Sequence, residues 1–222
     1  MKNIFRRQTE SNLPNQTYID ALRDRLQRPL PGRTAQLKLA AYTSRLSFEA
    51  PAQAIQAAVM LLLYTDDQDR FSTVLIERVK HKKDKHSGQI SLPGGRVDPG
   101  DEDLEACAMR EAREEIGLQT DQIQILGRLT ELYIPVSGFL VTPIVAFAKE
   151  IHNLTPQPTE VAAILHVALP DLLSEDILRY RDLRVSEGLL LPNVPHYELE
   201  GKIVWGATAM MLSEFIDITQ SL

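Results

Sequence analysis

Residues 93–118 read P-G-G-R-V-D-P-G-D-E-D-L-E-A-C-A-M-R-E-A-R-E-E-I-G-L, which predicts a glycine-rich loop that leads into an acidic helix. Gly94 and Gly95 follow a proline and mark a tight turn where the backbone can approach a ligand closely. Asp101 is a suitable N-cap for the helix, and Gly117 is a suitable C-terminal stop. Apolar residues at helical spacing predict the buried face: Leu104, Cys107, Ala108, Ala112 and Ile116.

The other side of the predicted helix carries closely spaced carboxylates. Glu111 and Glu115 are four residues apart and Glu114 is three from Glu111, so the three side chains project from one face. Like charges this close raise the pKa of one another unless a cation lies among them. Clustered hard oxygen atoms suit Mg²⁺ or Mn²⁺ together with phosphate oxygens. Because Arg110 and Arg113 are interleaved, the pattern is also compatible with a solvated helix face with internal salt bridges.

The spacing of these residues resembles the signature of the Nudix hydrolases. From Gly95 to Leu118 the chain reads G-x6-E-x7-R-E-x-x-E-E-I-G-L, and such a match arises by chance on the order of once in 10⁵ sequences of this length. The commonest Nudix signature has five residues between its glycine and its first glutamate, whereas this chain has six. The extra residue falls at Asp101, in the loop before the helix. The coenzyme A pyrophosphatase branch of the family carries the same longer form.

The resemblance implies a role for each matching residue. Mg²⁺ or Mn²⁺ would be held by four groups: the Gly95 carbonyl, Glu111, Glu114 and Glu115. Arg110 would hold a carboxylate in place through a fork-shaped pairing, with Glu102 or Glu114 as its partner. The metal would neutralise charge on the diphosphate and lower the pKa of the attacking water.

The general base is either a glutamate of the signature or Glu160. Glu160 opens a predicted strand that follows Pro156 and Pro158. In Nudix enzymes a glutamate outside the signature often serves as base or as a further metal ligand, so the resemblance makes Glu160 a candidate. The alternative is an ordinary exposed acid at the end of a strand, which is the interpretation that the sequence alone favours.

The segment before the glycine loop bears on the substrate. V-L-I-E-R-V (74–79) and K-D-K-H-S-G-Q-I-S-L-P-G-G (83–95) are similar in outline to the corresponding segment of coenzyme A pyrophosphatases. Arg78 matches the first arginine of that segment, while the second has no clean equivalent. Counting places Asp84 there, and one inserted residue would bring in Lys83. Arg78 and the lysines after it would bind the 3′-phosphate of coenzyme A, or the basic loop is simply solvated.

The C-terminal part of the chain supports the same branch. Residues 191–215, L-P-N-V-P-H-Y-E-L-E-G-K-I-V-W-G-A-T-A-M-M-L-S-E-F, closely resemble the corresponding part of coenzyme A pyrophosphatases. The resemblance implies metal-dependent hydrolysis of coenzyme A or a derivative, giving 4′-phosphopantetheine and adenosine 3′,5′-bisphosphate. The alternatives are a Nudix hydrolase of ADP-ribose, NADH or another nucleotide, and a non-catalytic nucleotide-binding regulatory module. Such modules typically lose carboxylates of the signature, which are all present here.

Strand and helix patterns alternate along the chain and indicate an α/β class. Strands are predicted over 57–64 and 71–77, which form a hairpin, and over 123–130 and 140–148. Helices are predicted over 18–28, 34–45, 171–181 and 207–216. The resemblance implies a Nudix-type α/β/α sandwich with a mixed β-sheet and an N-terminal helical extension. We expect the leader and extension over 1–45 and the hydrolase domain over 46–222.

Composition limits the classes of partner. The 222-residue chain has a formal net charge of −6, which argues against nucleic-acid binding because phosphate backbones favour a basic surface. Its single cysteine, Cys107, fits a reducing compartment and a buried structural role. The N-terminus lacks an apolar signal core, and no apolar run reaches membrane length. We therefore expect a cytoplasmic protein with a small-molecule nucleotide substrate and no membrane partner, and we leave a homodimer open.

Overall fold

A computed structural model describes residues 16–41, 49–80, 87–119, 122–151, 153–185 and 189–222. The helices are α1 (Gln16–Leu26), α2 (Arg33–Gln36), α3 (Leu104–Ile116), α4 (Leu169–Leu172) and α5 (Gly206–Gln220), with 3-10 turns at Leu37–Leu39 and Glu175–Ile177. The strands are β1 (Ile55–Thr65), β2 (Phe71–Arg78), β3 (Ile90–Ser91), β4 (Gly94–Arg96), β5 (Ile123–Arg128), β6 (Leu132–Ile134), β7 (Phe139–Ala148), β8 (Val161–Ala168), β9 (Leu178–Arg184), β10 (Leu190–Leu199) and β11 (Lys202–Val204).

The main sheet is mixed, as the resemblance implied. β1 pairs in parallel with β7 along its whole length and antiparallel with β2, which confirms the predicted hairpin. β5 and β6 pair antiparallel with β7, and β8 pairs antiparallel with β2. β1 and β2 pair directly only near their shared turn, and further along β4 pairs with β1 while β3 pairs with β2. The glycine-rich loop therefore lies between β1 and β2, beyond the point where these two strands pair directly.

Helices cover both faces of the sheet and form an α/β/α sandwich. On one face, α3 packs Ala108, Ala112 and Ile116 against the side chains of β1 that include Met60 and Leu62. On the other face, residues of α1 and α5 share one buried apolar cluster with the alternate side chains of β1, including Leu61 and Leu63. Burying a leucine or isoleucine side chain stabilises a fold by about 1.5–3 kcal/mol, so both layers contribute strongly. The expected fold class is confirmed.

The N-terminal segment is part of this packing. Glu214 of α5 is fully buried, and its carboxylate accepts hydrogen bonds from the Gly32 backbone N–H (3.0 Å), Gln36 Nε2 (3.1 Å) and the Thr130 hydroxyl (2.6 Å). These bonds join α2, α5 and the loop that enters β6 into one layer. The domain boundary after residue 45 falls outside the described residues and stays a prediction.

One predicted helix is wrong in type over most of its range, and another is shorter than predicted. The helix expected over 171–181 is replaced by α4, a 3-10 turn and β9, because Leu178–Arg184 pairs with β10 and this pairing overrides local helical spacing. The helix expected over 34–45 ends at Gln36 and passes into a 3-10 turn, after which Ala40 is extended. The closing helix is confirmed and is longer than predicted, since α5 runs to Gln220. Within the described residues, no helix is long and apolar enough to span a membrane.

Candidate active site

Helix α3 begins two residues later than the sequence suggested. Asp103 is the N-cap, and its carboxylate accepts a hydrogen bond of 2.8 Å from the Ala106 backbone N–H. The prediction that Asp101 caps the helix is therefore wrong. Gly117 ends the helix with a φ of 65°, as expected for a residue that must adopt the left-handed region.

Asp101 instead binds Arg110. The Arg110 guanidinium donates from Nε to one oxygen of Asp101 and from Nη2 to the other, both at 2.9 Å. The hydrogen bonds from Arg110 hold the pKa of Asp101 well below its usual range. Glu102, one of the two partners that the resemblance implied, is exposed. Five residues separate Asp101 from Gly95, which is the spacing between the glycine and the first acid in the commonest signature. Counting from the glycine would therefore have identified Asp101 as the partner of Arg110.

The same guanidinium reaches two of the candidate metal ligands. Nη1 of Arg110 donates to Glu111 Oε1 at 2.9 Å and to Glu114 Oε2 at 3.1 Å. Nη2 also donates to the Arg96 carbonyl at 3.0 Å, which ties the arginine to β4. Because the Glu114 side chain is 60% exposed whereas that of Glu111 is 15% exposed, the two carboxylates differ in their access to water. The expected pairing of Arg110 with Glu114 is present as a secondary contact.

Glu115 is the most deeply buried of the three glutamates. Its residue surface is 2% exposed, and its Oε2 accepts a hydrogen bond of 2.8 Å from the Gly94 backbone N–H. Burial raises the pKa of Glu115 to about 7, although the Gly94 N–H and the charge of Arg78 oppose the shift. The negative charges of Glu111 and Glu160 raise this pKa further. Arg78 at the end of β2 therefore acts electrostatically on Glu115.

Glu111 lies directly against the glycine loop. A Cβ atom at Gly95 would lie 2.5 Å from Glu111 Oε1, so only glycine leaves room for this carboxylate. A Cβ atom at Gly94 would lie 2.3 Å from the Ala58 carbonyl oxygen, so this glycine is required for the close pairing of β4 with β1. Burial also raises the pKa of Glu111, an effect that Arg110 opposes and that Glu114 and Glu160 increase.

Cys107 lies next to the backbone carbonyls of the glycine loop. The thiol Sγ of Cys107 is 3.7 Å from the Gly95 carbonyl oxygen and 3.4 Å from that of Arg96. Cys107 is buried, as predicted, and burial raises its pKa to about 11. A thiol with so little thiolate at neutral pH is a poor nucleophile, so we assign it a packing role.

Glu160 reaches the site from a separate element. The turn before β8 is fixed to α3, because the Gln157 backbone N–H donates to the Glu115 carbonyl at 2.8 Å. It is also fixed to the end of β2, because the Val79 N–H donates to the Glu160 carbonyl at 2.8 Å. The exposed carboxylate of Glu160 is close enough to raise the pKa of both Glu111 and Glu115.

The structure thus brings together most residues that the sequence singled out. They are Arg78, Gly94, Gly95, Arg110, Glu111, Glu114, Glu115 and Glu160. Lys83 lies outside the described residues. Among the residues that are described, no three carboxylate, histidine or cysteine side chains converge as a ready metal-binding group. The glutamates are instead held by Arg110 and by the Gly94 N–H, yet their donor chemistry fits a hard divalent cation, which would relieve their mutual repulsion.

Comparison with known proteins gives one consistent result. The profile of the NUDIX domain matches residues 54–185, more than half of the chain. A Yersinia enterocolitica protein described as the uncharacterised Nudix hydrolase NudL is 31% identical over 187 residues, covering 82% of this chain and 91% of the relative. A Photorhabdus laumondii protein with the same description is 35% identical over 148 residues, covering 67% of this chain and 78% of the relative. The crystal structure of RenU, a Nudix hydrolase from M. smegmatis, aligns with a TM-score of 0.50 at 19% identity, covering 76% of this chain and 88% of RenU.

Proposed function

Because the chain belongs to the Nudix hydrolase family, we propose that it hydrolyses the pyrophosphate bond of coenzyme A or a derivative. The products are 4′-phosphopantetheine and adenosine 3′,5′-bisphosphate. The family acts on nucleoside diphosphate-linked substrates, and Nudix hydrolases generally use divalent metal cations. The choice of coenzyme A, of Mg²⁺ or Mn²⁺, and of the residues that act is the proposal.

The arrangement of Glu111 and Glu115 at the glycine loop is the observation that carries the proposal. One carboxylate lies against Gly95 and the other accepts the Gly94 N–H, and both have raised pKa values. One buried acid and one partly buried acid whose charges act on each other favour either protonation or a nearby cation. A divalent cation would be held by these two carboxylates with Glu114 and the Gly95 carbonyl as further ligands. When bound, it supplies charge neutralisation at the diphosphate and increases the acidity of the attacking water.

The remaining residues bind, orient and move protons. Arg110 fixes Glu111 and Glu114 in place through Nη1 while Asp101 fixes the arginine. Water adds to one phosphorus atom, the bridging P–O bond breaks, and the leaving phosphate takes the electron pair of that bond. The proton of the attacking water passes to the carboxylate of Glu160, which is exposed and electrostatically coupled to Glu111 and Glu115.

Two contacts support the substrate assignment. Residues 191–215, which resemble the coenzyme A branch, form β10, β11 and most of α5, and they adjoin the strands that frame the glycine loop. The Thr208 hydroxyl donates to the Ile90 carbonyl at 3.0 Å, and Lys202 Nζ pairs with Glu77 at 2.7 Å. Glu77 precedes Arg78, our proposed partner for the 3′-phosphate. The distinctive C-terminal segment therefore touches the part of the chain that we propose selects the substrate.

Initial rates on four substrates test this assignment. Coenzyme A, dephospho-coenzyme A, ADP-ribose and NADH are each incubated with protein and Mg²⁺ or Mn²⁺, and the products are identified by mass spectrometry. We expect coenzyme A to be cleaved fastest. We also expect the Arg78→Gln variant to lose about 10- to 150-fold in kcat/KM on coenzyme A and less on the dephospho form, since a charged contact contributes about 1.5–3 kcal/mol.

Other outcomes separate the alternatives. Faster cleavage of ADP-ribose or NADH would retain the chemistry and remove the coenzyme A assignment. Tight nucleotide binding without turnover would indicate a regulatory module. The base assignment is tested separately, because the Glu160→Gln variant should lower kcat by roughly 10²–10⁴-fold. An unchanged kcat would return the role of base to a glutamate of α3. A cytoplasmic location and a homodimer stay predictions.

A further inference from the structure

We propose that the chain forms a two-fold symmetric homodimer in which β9 pairs antiparallel with β9 of a second copy, centred on Leu183. The surface lies outside the candidate active site, so the inference does not depend on the proposed function. It starts from the position of β9 at the end of the small sheet β11–β10–β9, where its partner among the described strands is β10 alone. The other edge of such a strand carries unpaired backbone N–H and C=O groups, which are a template for a further strand.

The register with β10 shows which residues of β9 present these groups. Tyr180 lies opposite Pro195, and proline has no N–H to donate. Because hydrogen-bonded and non-hydrogen-bonded pairs alternate in an antiparallel ladder, the odd-numbered residues of β9 bond to β10. The even-numbered residues therefore direct their N–H and C=O groups to the free edge. In keeping with this, the Leu178 carbonyl accepts a hydrogen bond of 3.0 Å from Nη1 of Arg179.

Exposed apolar side chains are concentrated along this strand and the start of the next. Of the five large apolar side chains that are exposed among the described residues, four lie here: Leu178, Tyr180, Leu189 and Leu190. Tyr180 is 57% exposed and Leu190 is 51% exposed. Clustered exposure of this kind marks an interaction surface. In addition, β9 contains neither proline nor lysine, the residues that commonly block pairing at an edge.

The charges of β9 exclude most registers of a symmetric pair. Directly opposed residues share a face of the sheet, so the two-fold axis must lie between two copies of the same residue. Centring the pair on Arg179 or on Arg181 would oppose each arginine to its own copy. Centring it on Tyr180 would oppose Arg179 to Arg181. Centring it on Asp182 would oppose two aspartates, and like charges directly opposite one another are destabilising.

The remaining register that pairs at least three residues of each β9 is complementary. Centring on Leu183 places Asp182 opposite Arg184 of the partner subunit, and symmetry repeats this ion pair on the other side of the axis. Leu183 then lies against its own copy between the two ion pairs. Asp182 and Arg184 are both exposed, and the Asn193 backbone N–H donates to Oδ1 of Asp182 at 2.9 Å, which leaves Oδ2 for the partner. Opposite charges across a ladder stabilise the pair, so the partner that fits this edge is a second copy of the chain.

Sedimentation equilibrium of the whole protein over a range of concentrations measures the association. A contact of this size gives a weak dimer, so we expect wild type to pass from monomer to dimer in the micromolar range. Arg184→Glu should weaken the dimer at least about tenfold, because two attractive pairs become repulsive. The double variant Asp182→Arg/Arg184→Glu exchanges the two charges and should restore the dimer. The matched control Arg181→Glu makes the same charge change on the same strand, opposite Val185 of the partner subunit, and should alter the affinity less than about threefold.

Directed disulfides test the register without changing those charges. Two copies of Leu183→Cys would face each other as a non-hydrogen-bonded pair with Cα atoms about 4.5 Å apart, which fits a disulfide, so mild oxidation should give a covalent dimer. Tyr180→Cys and Arg181→Cys, which face their own copies only in the excluded registers, should cross-link much less. Cys107 is buried and does not compete.

Circular dichroism establishes that each variant is folded, and the charge and cysteine variants change different residues, so a folding defect in one set leaves the other as a test. Three results would overturn the inference. They are a wild-type protein that stays monomeric at all concentrations, equal effects of Arg184→Glu and Arg181→Glu, and cross-linking of Arg181→Cys as efficient as that of Leu183→Cys.

Discussion

The raised pKa of Glu115 predicts that the metal-free protein loses stability as the pH rises. Its pKa in the folded protein is about 7 against an ordinary value of 4.5, so the protonated form is favoured by folding. Stability from this group is therefore fully present below pH 4.5 and is lost as the pH rises through about 7. The difference between these two pKa values corresponds to about 3 kcal/mol, and the residue is only 2% exposed.

The Glu115→Gln variant isolates this contribution, because glutamine keeps the shape and can accept the Gly94 N–H without a charge. Urea unfolding with a chelator present gives the free energy of unfolding of both proteins from about pH 5 to about pH 8. Relative to wild type, the variant should gain about 3 kcal/mol across this range. Added Mg²⁺ should reverse the trend for wild type only, since it binds the ionised form. A difference between the proteins that does not change with pH would refute the reasoning.

Two further substitutions have matched controls in the chain. Gly95→Ala should lower kcat at least about 100-fold with little unfolding, because its Cβ would lie 2.5 Å from Glu111 Oε1. Gly100→Ala should be silent in the same assay, since a Cβ there would meet no atom within 4 Å, and equal effects of both would contradict the assignment. Glu214→Ala should lower the free energy of unfolding, measured in urea, by about 3–5 kcal/mol, because several buried donors would lose their hydrogen-bond acceptor. Asp217→Asn, which breaks only a partly exposed pair on the same helix, should cost less than about 1 kcal/mol, and a comparable cost for both would contradict the role of Glu214.

Local patterns predicted most of the main sheet and the acidic helix. The apolar run of β1, the polar turn and the return of β2 define a hairpin without any distant information. The spacing of the glutamates on α3 is enough by itself to place three carboxylates on one side of the helix. Glu160 could be suspected from its place at the start of β8, but its coupling to Glu111 and Glu115 depends on how the turn is fixed to α3.

Long-range pairing accounts for what the sequence did not predict. β9 lies in a region with helical spacing of apolar residues, and only its partner β10 makes it a strand. The partner of Arg110 is the exception, because it is Asp101 and not Glu102, a one-residue difference that the spacing from Gly95 could have revealed. The buried bonds of Glu214 join residues that are 84 to 182 positions apart, so no local pattern marks them.

Hydrolysis of coenzyme A in ¹⁸O-labelled water, by wild type and by the Glu111→Gln variant, tests the proposed chemistry and the proposed site together. With Mg²⁺ present, wild type should release 4′-phosphopantetheine and adenosine 3′,5′-bisphosphate, with one ¹⁸O atom incorporated into one of the two. A chelator should abolish the reaction, and the variant should be at least about 10³-fold slower because a proposed metal ligand has been removed. Products that form equally fast in the variant, or that form without a divalent cation, would contradict the assignment of the site.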